Sequence, residues 1–209
     1  GILSDVKSKM ECSNGFMYMV DKWPLTPKEV FFHPVKVEAE RESSILDYTL
    51  CTFNMRRVGG ERKKKNGYLD IVPSKASSNP TVTFEVPNTL SGKYDVCVVC
   101  VPKTVYLTPT TSSDSATCFR PYKFKAILSY VDDTGASKSY NCGGGTFSNN
   151  PYVVDTVCVA SSFEFPTCNF NQKNATVSLK LQCYITSKET TTYSREMFID
   201  CIYLIPREE

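Results

Sequence analysis

FEVPNTLSGKYDVCVVCV, residues 84–101, holds two strands and the turn between them. The first, Thr81–Val86, stops at Pro87, which has no amide to give a ladder. Ser91 and Gly92 turn the chain. Lys93–Val101 then runs as a second strand, rich in the branched side chains that suit a pleated surface, and leaves through Pro102. Downstream, residues 103–119 read as a Thr/Ser-rich loop. Tyr122–Tyr130 is a strand closed by the turn Asp132-Asp133-Thr134-Gly135, and Gly143-Gly144-Gly145 and Asn149-Asn150-Pro151 punctuate a long loop. Val153–Ala160, Thr176–Ile185 and Met197–Ile205 complete the downstream strands. Upstream lie a polar break at 73–80, a glycine-bounded basic loop at 59–67, and Val35–Glu40, which alternates with period two. Before these, the spacing predicts a helix end within the first dozen residues, then a strand, Gly15–Val20, closed by Trp23-Pro24 and Pro27. About eight to ten short strands with hardly any helical periodicity predict an all-β fold, an antiparallel sandwich or jelly roll with a short N-terminal extension.

Composition narrows the functions. The 209 residues suffice for one large β domain, and twelve Tyr and twelve Phe favour strands. With 24 basic and 22 acidic residues the net charge is only +2, against the basic face that a nucleic-acid partner requires. No apolar run approaches the ~20 residues of a membrane-spanning helix. The chain opens on Gly1 without a start Met, as a processed chain would, so any export signal is expected to have been trimmed. The ten cysteines allow either a disulfide framework or buried thiols, since several sit inside apolar runs such as VCVVCV and LKLQCYI.

Two resemblances add to this reading. Residues 14–25, NGFMYMVDKWPL, resemble the closing box of a fasciclin-type (FAS1) adhesion domain; an ordinary amphipathic strand ended by Pro24 reads equally well. Over most of residues 30–206 the chain resembles galactose-binding-like jelly rolls, particularly family 6 carbohydrate-binding modules. VKVEAE (35–40) is similar to their opening strand, residues 84–101 to their central pair with its Gly-x-Tyr turn, and MFIDCIYL (197–204) to their last strand. With FEFP at 163–166, the chain also looks like the sandwich regions that follow fasciclin domains in lipoproteins of Bacteroidota. The long loops at 103–119 and 142–150 and the high cysteine content depart from the pattern. The resemblance implies residues 1–29 as the tail of a fasciclin-type domain and 30–209 as a galactose-binding-like sandwich. It implies glycan binding or adhesion as the role, and an outer-membrane or cell-surface lipoprotein as the setting, with an anchor outside this chain. It also implies a structural calcium on Glu38, Glu40 and Asp200, whose hard oxygens suit that ion. A solvated strand face, or Glu paired with Lys36 or Arg41, is the alternative.

The chemistry of the residues points away from catalysis. His33 is the single histidine, beside Pro34 in what reads as an interdomain linker, and no nucleophile elbow, zinc-protease helix or phosphate loop is present. Cys97 and Cys100 lie three apart on a strand and so point to opposite faces, unable to grip one metal. The basic residues Arg62–Lys65 read as a soluble hairpin tip, or as a contact for anionic glycans or a membrane face. A sugar site needs an aromatic platform with amides or carboxylates around it, because a pyranose has an apolar face and a polar rim. Tyr68, Tyr140, Phe147, Asn149, Asn150 and Tyr152 are the candidate ligand-binding residues, with Tyr106 another loop aromatic. The loop Gly143–Tyr152 is the centre of this set, since its glycines permit close approach of a ligand. We therefore expect a non-enzymatic module whose partner is a glycan or a host or cell-surface glycoconjugate, with a fasciclin domain as neighbour. A structural or protein–protein module is the first alternative. A glycan-processing enzyme, needing two carboxylates ~5–10 Å apart, is the second.

Overall fold

The computed structural model describes residues 6–20, 31–57, 67–105, 109–169 and 176–207. The basic loop Arg62–Lys65, Tyr106, and the Trp23-Pro24 exit lie outside the described residues. The chain divides into two compact units, Gly1–His33 and Pro34–Glu209, where the sequence reading places the boundary at 29/30.

The first unit contains a hairpin of β1 (Val6–Cys12) and β2 (Gly15–Val20), paired antiparallel from Cys12↔Gly15 to Val6↔Val20. The helix end expected in the first dozen residues is therefore a strand. The turn at Ser13-Asn14 lets VKSKMEC pair with the apolar run that follows it, and cross-strand pairing overrides the weak local preference. Met10, Phe16, Met17, Tyr18 and Met19 are all exposed, and the Lys9 ammonium sits 3.7 Å from the centre of the Phe16 ring.

The second unit is an antiparallel β-sandwich. Its strands are β3 (Val35–Glu38), β4 (Ile45–Thr49), β5 (Cys51–Arg57), β6 (Gly67–Pro73), β7 (Thr81–Glu85), β8 (Gly92–Cys100), β9 (Lys123–Val131), β10 (Ser137–Asn141), β11 (Phe147–Ser148), β12 (Asp155–Phe165), β13 (Ser178–Cys183) and β14 (Met197–Pro206). One sheet runs β10-β9-β13-β7-β4, with β11 also on β9; the other runs β12-β8-β14-β6-β5, with β3 also on β14. From β6 to β9 each connection crosses from one sheet to the other, and β12, β13 and β14 do the same, the winding of a jelly roll. Every second residue faces inward: Phe124, Ala126 and Leu128 of β9, Leu179 and Leu181 of β13, and Tyr94, Val96, Val98 and Cys100 of β8 are all fully buried. Burying each large apolar side chain contributes roughly 1.5–3 kcal/mol, so this alternation fixes the register.

Two features depart from the sequence reading. Strands β4, β5, β6, β10 and β11 are additional, and a helix, α1 (Ser112–Cys118), lies within the segment read as loop. Ser112 is a good residue for starting a helix, and Ala116 in its last turn a good helix former. The ten cysteines are all thiols, seven of them buried. Among the described residues no helix is long and apolar enough to cross a membrane.

Candidate functional site

An acidic cluster forms where β3 and β6 share one edge of β14. β6 pairs with Met197–Ile199 and β3 with Cys201–Leu204, leaving Asp200 at their junction. Against β8 the register jumps from Ile199↔Cys100 to Cys201↔Val99, so Asp200 is the extra residue of a bulge, a device that re-aims a side chain. Glu38 ends β3. Glu40 stands in the turn after it, rather than on the same strand as the alternation implies, and the Ala39 N–H donates to the Asp200 carbonyl at 2.9 Å. Turn and bulge together bring carboxylate oxygens of Glu38, Glu40 and Asp200 within 4.8 Å of one another. Glu38 also pairs with Lys36 at 3.0 Å, the partner anticipated as an alternative.

Electrostatically the cluster is short of positive charge. Burial raises the Glu40 carboxyl above the usual carboxylate range, and the charges of Glu38 and Asp200 add to the effect. Burial likewise raises Asp200, with Lys36 offsetting and Glu38 adding. Glu40 Oε2 is buried without a hydrogen-bond partner, an orphaned acceptor in a setting where such groups are normally satisfied. A side-chain carbon on Gly67 would lie 2.7 Å from Glu40 Oε1, so the glycine is what lets the carboxylate in. Three converging hard oxygens, one of them unsatisfied, fit a calcium-type cation. An open cleft of about 390 Å³ adjoins the cluster, sharing Glu38 and lined also by Lys36, Arg41 and Glu85.

Loops gather at the end of the sandwich where β6 and β8 finish and β9 and β14 begin. The connections β6–β7, β8–β9, β11–β12 and β13–β14 are tied there by hydrogen bonds: Asn79 Nδ2 to the Ile185 carbonyl (3.1 Å), Ser194 N to the Pro121 carbonyl (2.9 Å), and Tyr122 N to Asn149 Oδ1 (2.6 Å). Tyr152 is 66% exposed and stacks on Phe119, with ring centres 5.1 Å apart and planes at 24°. Asn150 shapes the loop, accepting from Tyr152 N at 3.0 Å, while the Asp155 carboxylate accepts from Asn150 N at 2.7 Å. One residue beyond Phe119, Arg120 lines a cleft of about 280 Å³ together with Lys103, Tyr193, Arg195 and Glu196. Lys103 is ion-paired with Glu196.

The sequence-derived ligand set is split by the structure. Tyr152 and Asn150 stand at this loop end, and Tyr152 is the exposed aromatic. Tyr68 is corrected: it is 3% exposed and packs on Phe198, ring centres 5.4 Å apart, because the sheet face around it is covered. Asn149 is buried, bonding Tyr122 N and, through its amide, the Asn150 carbonyl at 3.0 Å, so it holds the loop rather than a ligand. Phe147 is half-buried beside Phe124, with a ring atom 2.8 Å from where a Gly143 side-chain carbon would be. Gly143, at φ +60°, thus makes room for Phe147 rather than for a ligand. Tyr140 is 40% exposed and packs on Phe163 at 5.0 Å, within a separate aromatic group that includes Tyr130. Phe119, Arg120, Tyr193 and Arg195 were missed. The signal available was an aromatic-Arg-Pro end to a Ser/Thr-rich segment, and a lone Tyr and Arg in the polar run TTTYSRE.

No protein-family model matches the chain, and no curated protein does. Solved structures similar to it carry carbohydrate-binding modules in their descriptions. A Podospora anserina GH26-CBM35 β-(1,4)-mannanase aligns with a TM-score of 0.37 and 15% identity over 85% of this chain and 28% of that one. The CBM22-1–GH10 modules of a Clostridium thermocellum endo-1,4-β-D-xylanase, complexed with xylohexaose, give 0.43 and 12% over 84% and 29%. The C-terminal CBM6 of a marine laminarinase from Zobellia galactanivorans gives 0.36 and 13% over 83% and 99%. The chain thus spans under a third of the first two. All three superpositions are loose.

Proposed function

We propose that Pro34–Glu209 is a non-catalytic glycan-binding module, carried by an exported, lipid-anchored bacterial surface protein and facing glycans or cell-surface glycoconjugates. The observation that carries the binding role is the Phe119–Tyr152 stack, with Tyr152 exposed and Phe119 on the β8–β9 connection that also lines a cleft through Lys103, Thr117 and Arg120. A flat ring braced by a second ring offers the apolar face of a pyranose a rigid surface, and polar groups alongside can take its hydroxyls. The adhesion setting, with a fasciclin neighbour, rests on the likeness of residues 14–25 to a fasciclin box. Within this reading Glu38, Glu40 and Asp200 hold a structural Ca²⁺ that neutralises their mutual repulsion and ties β3 to β14.

A glycan array with the wild-type chain, Tyr152→Ala and Tyr140→Ala tests the role. Tyr152→Ala is expected to weaken binding about tenfold, the scale of one lost aromatic stack, and Tyr140→Ala to leave it close to wild type. Silence across the array overturns the glycan reading. That outcome would favour a protein partner, since Val153 and Val154 are exposed beside Tyr152 and extend its apolar surface.

A further inference from the structure

The loop-end cleft holds an imbalance of charge that neutral sugar binding does not require. Three cations line it, Lys103, Arg120 and Arg195, against one carboxylate, Glu196. The ion pair of Lys103 with Glu196 cancels two of these charges and leaves the two guanidiniums. The nearest loop carries a further acid, Glu189, but it is taken up by Lys123 and by the N–H and hydroxyl of Thr186. Among the described residues, neither arginine has a carboxylate within ion-pair distance.

Both guanidiniums are held by neutral acceptors instead. Arg120 donates from Nε to the Ala116 carbonyl at 3.2 Å and from Nη1 to the Thr190 carbonyl at 3.0 Å. Arg195 donates to Asn79 Oδ1 (3.1 Å), the Ala76 carbonyl (3.4 Å) and the Ile185 carbonyl (2.8 Å). A guanidinium has five N–H donors, so three remain on Arg120 and two on Arg195. These contacts fix the side chains between loops: Arg120 joins β8–β9 to β13–β14, and Arg195 joins β13–β14 to β6–β7. Surface ion pairs are usually weak, because two long side chains must be ordered to make them. Here that ordering is in place before a ligand arrives, and the planar fork matches a carboxylate or a sulfate.

We propose that this cleft binds the acidic group of a charged glycan, a uronate carboxylate or a sulfate ester, on Arg120 and Arg195 while Tyr152 and Phe119 hold a sugar ring. The assignment rests on the glycan-binding reading and names the class of glycan. It is tested by titrating the full chain with three oligosaccharides of equal length: a neutral galacto-oligosaccharide, an oligogalacturonide and a sulfated galactan fragment. The expected result is about tenfold tighter binding of one or both acidic probes than of the neutral one, with most of that advantage lost between ~50 and ~500 mM salt. The two acidic arms distinguish carboxylate from sulfate. Arg120→Gln should abolish the preference with only a small fall in the thermal midpoint, from the loss of its bonds to the Ala116 and Thr190 carbonyls. Arg120→Lys should restore only part of the preference, because the ammonium keeps the charge without the fork. Should Arg120→Gln prove unstable, Arg195→Lys with the same titration serves in its place. Equal binding of all three probes overturns the acidic assignment and leaves the glycan module standing. A preference that persists in the folded variants also overturns it. Failure of every probe removes both.

Discussion

Glu40 is admitted to the acidic cluster only because residue 67 has no side chain. Gly67→Ala would put a carbon 2.7 Å from Glu40 Oε1 and force the carboxylate aside. The expected cost is about 1–3 kcal/mol, read as a lower denaturation midpoint, together with loss of any stabilisation by Ca²⁺. Proton linkage at the same carboxylates has a definite sign. Glu40 and Asp200 are raised, so without a cation their contribution is fully present below the ordinary carboxylate range and is lost as pH climbs through their raised values. Asp132 and Glu189, each held down to about 2 by hydrogen bonds from Thr134 and from Lys123 respectively, act the other way: their contribution is present above the ordinary range and lost as pH falls toward about 2. Melting curves from about pH 4 to 8 should therefore show Ca²⁺ stabilising most at the upper end; an effect independent of pH would count against cation binding at this cluster. The thiols give a further residue-level expectation. Burial pushes Cys51 and Cys142 up to about 11 and Cys97, Cys183 and Cys201 up to about 12, whereas Cys12, Cys158 and Cys168 are exposed. Native alkylation at about pH 8, followed by mass spectrometry, should label those last three first, since the thiolate is the reacting form.

At the level of single elements, the strands legible in the sequence were those that alternate cleanly or end at proline. Thr81–Glu85 stops before Pro87, and Lys123–Val131 alternates buried and half-buried along its first six residues. Those missed had other signatures: Gly67–Ile71 is buried on both faces, so period two vanishes, and Ile45–Thr49 is an edge strand with four of five residues exposed. Tertiary pairing also made β1 from a stretch read as helix. The acidic cluster was legible as residues but not as geometry, because neither the turn at Glu40 nor the bulge at Asp200 follows from alternation. Phe119 was hidden for a related reason: its worth comes from Tyr152, 33 residues on, and long-range stacking leaves no local pattern. The β1–β2 hairpin carries one element-scale prediction. Buried core side chains among the described residues begin at Val37, so a chain of residues 34–209 should unfold in one cooperative transition. A broad, non-cooperative melt of that fragment would overturn this expectation.

Across the whole second unit, two facing sheets supply the core, and the proposed recognition falls to the loops that the winding gathers at one end. Arg120, Arg195 and Asn79 lace three of those loops together, and the bond from Tyr122 N to Asn149 Oδ1 ties in the loop of Tyr152, so the Phe119–Tyr152 stack and the guanidiniums stand on a braced surface. The most direct test of this arrangement is amide chemical-shift mapping of the isotope-labelled chain titrated with the neutral and acidic oligosaccharides. Shifts confined to residues 74–80, 101–105, 109–122, 149–154 and 184–196 are expected from this arrangement. Shifts centred on the outer sheet faces or around Glu85 and Arg41, or none with any oligosaccharide, would contradict it.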